Sequence, residues 1–68
     1  MDNEVKSRWE FLLQSRSDIR SIIENTRLVG GHISHDSNGE KIFHFITKKG
    51  TFTYNEARDE FERKLEIR

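Results

Sequence analysis

Apolar residues in the first third of the chain recur at alternating steps of four and three. Val5, Trp9, Leu12, Ile19 and Ile23 make the stripe, and Arg16 stands where the seam would place another apolar side chain. This period is helical and predicts a helix over about 3–27 with one apolar face. Phe11 lies off the stripe. Asp2 or Asn3 can cap the N-terminus, and Gly30-Gly31 behind Arg27 supplies a stop. Ser15-Arg16-Ser17-Asp18 interrupts the pattern, and Ser15 with Asp18 three residues on can cap a second helix. One long helix, bent near Ser15–Ser17, is the preferred reading, and two helices are the alternative.

After Gly31 the period shortens to two. His32–Asp36 alternates as a strand does, Ser37-Asn38-Gly39 is a tight-turn signal, and Lys41–Thr47 is rich in β-branched and aromatic residues. Lys48-Lys49-Gly50 is a second turn and Thr51–Tyr54 a short strand. The expected strands are therefore about 32–36, 41–47 and 51–54. Thr53-Tyr54-Asn55-Glu56 fits a capping box, with Ala57, Phe61 and Leu65 at four-residue spacing behind it. Acidic residues lead and basic residues close this segment, which complements a helix dipole. A helix over about 55–66 is predicted.

The expected fold class is α+β in the order α-β-β-β-α: a three-stranded antiparallel meander packed with a long N-terminal helix and a C-terminal helix. The central strand is apolar on both faces, with Ile42 and Ile46 on one, beside His44, and Phe43 and Phe45 on the other. A sheet covered on one side only leaves part of that surface open. Helices on both faces, a second copy of the chain, or a binding partner would each cover it.

Composition narrows the classes. Residues 1–68 are enough for a single small domain. Cysteine is absent, which excludes disulfide staples and thiolate zinc modules. No run approaches the ~20 apolar residues of a membrane span, and no signal peptide is visible, so a cytoplasmic protein is expected. Leu, Ile, Val and Phe total 18 of 68 residues, enough for a folded domain. A core this small is marginal, and a homodimer would relieve that marginality. Lys plus Arg and Asp plus Glu are both 12. A net charge of zero argues against a mimic of DNA.

Little in the chain suggests chemistry. The ordinary role of His32, His35 and His44 is on a sheet surface. With a two-residue Asn38-Gly39 loop, His35 and His44 would lie diagonally on one face, but no third ligand completes a metal site. There is no nucleophile-elbow pattern and no phosphate loop. No catalytic residue, metal or cofactor is assigned, and the chain is not expected to be an enzyme.

Two resemblances bear on nucleic acid. The order α-β-β-β-α is the topology of double-stranded RNA-binding domains. The run Lys48-Lys49-Gly50-Thr51-Phe52-Thr53-Tyr54-Asn55-Glu56-Ala57 resembles the last strand and helix start of the arm-binding domains of tyrosine recombinases. Where the RNA-binding family carries lysines at the last helix, this chain reads Asn55-Glu56-Ala57-Arg58-Asp59-Glu60, which repels phosphate. Under this reading Lys41, Lys48 and Lys49 would meet phosphate, and Phe43 and Phe45 would stack on bases.

The preferred expectation is a small non-enzymatic module that binds a protein partner, a regulator or inhibitor of the kind bacteria and mobile elements encode. Its contact candidates are Trp9, Phe11, Ile42, His44 and Ile46. The nucleic-acid reading is the alternative.

Overall fold

A computed structural model describes residues 2–64. Two helices, α1 (Asn3–Ser15) and α2 (Ser17–Ile23), precede four strands: β1 (Leu28–His35), β2 (Lys41–Thr47), β3 (Gly50–Asn55) and β4 (Glu60–Lys64). The strands form one antiparallel meander in the order β1-β2-β3-β4. The observed order is thus α-α-β-β-β-β, which is still α+β but carries one strand more than expected. Among the described residues no helix follows the strands, and the likeness to RNA-binding domains rested on such a helix.

Asp2 caps α1, its carboxylate accepting from the Glu4 amide at 2.8 Å. The helical stripe breaks at Arg16, whose backbone is extended (φ −123°, ψ 97°). The expectation of one continuous helix is corrected here. Arg16 turns out of the seam, and its guanidinium grips Asp18 through two hydrogen bonds of 3.0 and 2.7 Å. It also ion-pairs with Asp59. A cation at the core-facing position keeps its charge wet only if the backbone turns it outward.

The stripe itself survives the break. Val5, Trp9, Leu12, Ile19 and Ile23 are all buried, against Phe43, Phe45, Phe52 and Tyr54 from the sheet. Trp9 tilts against Phe45 with ring centroids 5.1 Å apart. Trp9 is therefore a core anchor and not a contact residue. Both helices pack on this one face of the sheet. Gly31 lies where α1 meets it, and a methyl group there would collide with the His44 carbonyl and come within 2.8 Å of Val5 Cγ1. Gly30-Gly31 is part of β1 and not a helix stop, and at Gly31 the close approach of α1 requires a residue without a side chain.

The segment expected to be a helix from 55 is a turn followed by a strand. Asn55 Oδ1 accepts from the Arg58 amide at 3.1 Å, and Asp59 takes the left-handed conformation (φ 53°) that turns the chain back. Asp59 then accepts from the Tyr54 hydroxyl. Phe61 stacks on Phe52 at 5.4 Å, with 17° between the rings, while Glu60, Glu62 and Lys64 are exposed. Thr53, the expected cap, is buried within β3. The last positions of the predicted helix, 65–66, lie outside the described residues.

Candidate functional site

The face of the sheet away from the helices is a grid of side chains set by strand register. One row across the four strands is Gly30, Ile46, Thr51 and Lys64. The next is His32, His44, Thr53 and Glu62, and the third is Ser34, Ile42, Asn55 and Glu60. No helix or strand among the described residues lies over this face. Ile46 is 41 % exposed, and Ile42 and His44 are half-buried by their neighbours in the sheet. Ile42, His44 and Ile46 thus form a short ridge down the central strand, with polar side chains around it.

The β1–β2 turn fixes this register. Asp36 accepts two backbone amides on one carboxylate oxygen, from Asn38 and Glu40, each at 2.9 Å. Asp36 and Glu40 close the loop through a 3.0 Å backbone bond, and Gly39 has φ 77°. The loop therefore holds three residues, not two, which shifts pairing by one and reverses the face. His44 consequently lies opposite His32 and not diagonal to His35. His35 pairs with Lys41 on the opposite parity.

The His32 and His44 rings stack 4.3 Å apart and 8° from parallel. Ser34 Oγ is 2.7 Å from His44 Nε2. Burial lowers the His44 pKa below its usual value, and the neighbouring His32 and Lys64 push it further down. These effects disfavour the protonated ring. Parallel stacking does not converge the ring nitrogens on a common point, and no group of three metal-ligating residues occurs among the described residues.

The remaining candidates fall elsewhere. Phe11 is 53 % exposed on α1, with the Arg8 guanidinium 5.0 Å above its ring. It lies on the helical layer, so it shares no surface with Ile42 and Ile46. Phe43 and Phe45 are fully buried under the helices. They cannot act as stacking platforms for bases, which corrects that expectation: the aromatic side of β2 is the side the helical stripe covers. Lys41 ion-pairs with Glu4 across the α1–β2 contact. Lys48 and Lys49 sit in the β2–β3 turn, which Thr47 Oγ1 organises by donating to the Gly50 carbonyl at 2.7 Å and accepting from the Lys49 amide at 3.1 Å. Arg63 and Lys64 line the same shallow depression as these two lysines, a gathering hidden from the sequence because β4 was read as a helix.

No helix among the described residues is long and apolar enough to cross a membrane. No known family model, curated protein or solved structure matches the chain.

Proposed function

We propose that this chain is a small non-enzymatic module that binds a protein partner through the sheet face centred on Ile42, His44 and Ile46. The observation that carries the reading is the exposure of Ile46 beside Ile42 on an inner strand whose other face buries Phe43, Phe45 and Thr47. An apolar centre ringed by Ser34, Asn55, Glu60, Glu62 and Lys64 has the pattern of a protein interface, with a dry core and a polar rim. Burial and the neighbouring His32 and Lys64 disfavour a charge on His44 at that centre. Affinity capture followed by titration with the purified partner tests this reading. Ile46→Lys is expected to weaken binding at least tenfold, while Phe11→Ser, on the other layer, leaves it unchanged. Equal effects of the two substitutions would remove the assignment.

A second reading draws on Lys48, Lys49, Arg63 and Lys64, four cations at one end of the sheet. Such a cluster supports contact with phosphate of a nucleic acid. Binding of that kind weakens steeply with salt. A salt-independent affinity, or no binding to any DNA or RNA, would exclude it.

A further inference from the structure

The uncovered sheet face is polarised along its strands. At the Ile46 end a shallow depression is lined by Lys48, Lys49, Arg63 and Lys64, and among the described residues no acidic side chain joins them. None of these cations is ion-paired within the described residues, whereas Arg8, Arg16, Lys41 and Arg58 all are. At the Ile42 end a second depression is lined by Asp36, Glu60 and Glu62. Arg58, which also lines it, is held by Glu40 at 2.8 Å. Ile42 and Ile46 stand between these ends on β2, about 13 Å apart along an extended strand. The chain has equal numbers of cations and anions, and this face sorts them by sign.

Building on the reading of this face as a protein contact, we propose that its occupant is a polypeptide segment of ordered charge. Apolar side chains of the segment lie over Ile42 and Ile46. Acidic residues at one end meet Lys48, Lys49 and Lys64, and basic residues at the other meet Asp36, Glu60 and Glu62. Complementary charge at both ends fixes the direction in which the segment lies and speeds its encounter with the face. A nucleic acid does not match this order, because it carries phosphate along its whole length and the acidic end repels it. A second copy matches no better. Laid antiparallel and centred on His44, it sets Glu62, which shares the His44 row, against its own image. Laid parallel, it sets like ends together. Like charges placed opposite one another are destabilising.

Photo-crosslinking of the full chain in cells, with a photoreactive residue at 42 or at 46, tests it through charge reversal. Lys48→Glu combined with Lys49→Glu is expected to lower the adduct yield at least tenfold. Glu60→Lys combined with Glu62→Lys is expected to do the same. Lys6→Glu combined with Arg20→Glu changes the net charge as the first pair does, but on the helices, and leaves the yield unchanged. All six side chains are exposed, so the fold persists, checked by circular dichroism. Fragments mapped by mass spectrometry carry acidic residues beside the adduct at 46 and basic residues beside the adduct at 42. A yield that survives either reversal on the sheet overturns the charge order and leaves the contact face standing. So does a yield that rises with Glu60→Lys and Glu62→Lys, the mark of a nucleic acid or of a wholly acidic partner. An adduct of twice 8.1 kDa shows a second copy and also overturns the proposal. No adduct from either position overturns the contact face itself, and the proposal with it.

Discussion

The imidazoles of His32 and His44 stack at 4.3 Å in the middle of the uncovered sheet face. The pair exists because a three-residue loop after Asp36 sets His32 opposite His44. Two cations at that distance would repel, and His44 is already half-buried. The stack therefore favours at least one neutral ring, and burial with its neighbours disfavours protonation of His44, whose Nε2 lies beside Ser34 Oγ.

Stability should follow this ring in acid. The folded pKa of His44 lies below its usual 6.5, so as pH falls the unfolded chain takes the proton first. The contribution is present above about pH 6.5 and is lost as pH drops through the folded pKa. Thermal midpoints between pH 8 and 5, on scales set by the usual histidine range, should fall over that window in the wild type. They should fall less in His44→Gln. A His44 titration measured by NMR at or above the ordinary value would contradict this.

The adjacent glycines of β1 should behave oppositely. At Gly31 a methyl group meets the His44 carbonyl and Val5, both on packed elements that have little room to move. Gly31→Ala is expected to cost about 3 kcal/mol, the upper range for overpacking. Gly30→Ala enters open space and should change stability by less than about 0.5 kcal/mol. Urea denaturation of the two variants checks the contrast, and equal midpoints would mean that α1 does not lie against Gly31.

Tyr54 joins the core to the β3–β4 turn. Its hydroxyl donates to Asp59, and burial, with the carboxylate beside it, pushes its pKa up to about 12. The folded value lies above the unfolded one. Its stabilising effect is therefore complete below about pH 10 and is lost as pH rises toward the folded value. Tyr54→Phe should cost about 1 kcal/mol, a hydrogen bond's net worth, and should remove that alkaline loss. A variant as stable as wild type at neutral pH, with the same alkaline decline, would show that the bond contributes nothing.

The helical stripe was legible because all five of its apolar members reach the core, and spacing alone reports that. The second face of β2 was legible too, since Ile42 and Ile46 alternate with two phenylalanines. β4 was not. Ala57, Phe61 and Leu65 keep helical spacing, and Thr53-Glu56 imitates a capping box. What decides for a strand is tertiary: Phe61 packs on Phe52, and Asp59 turns the chain while holding Tyr54. The His32–His44 pair was hidden for a related reason. Its register depends on one Asp36 oxygen holding two amides, which adds a residue to the loop. The Lys48, Lys49, Arg63 and Lys64 cluster was hidden because it needs β4 beside β3.

The most direct test of the open face as a docking surface is site-specific photo-crosslinking in cells. A photoreactive residue is placed at 42, 46 or 11, one position at a time. Adducts of a single partner mass are expected from 42 and 46 and not from 11. The same adduct should vanish when Ile46→Lys is added to the variant carrying the probe at 42. Crosslinks from position 11 alone, or no protein adduct from 42 and 46, would contradict the proposed contact face.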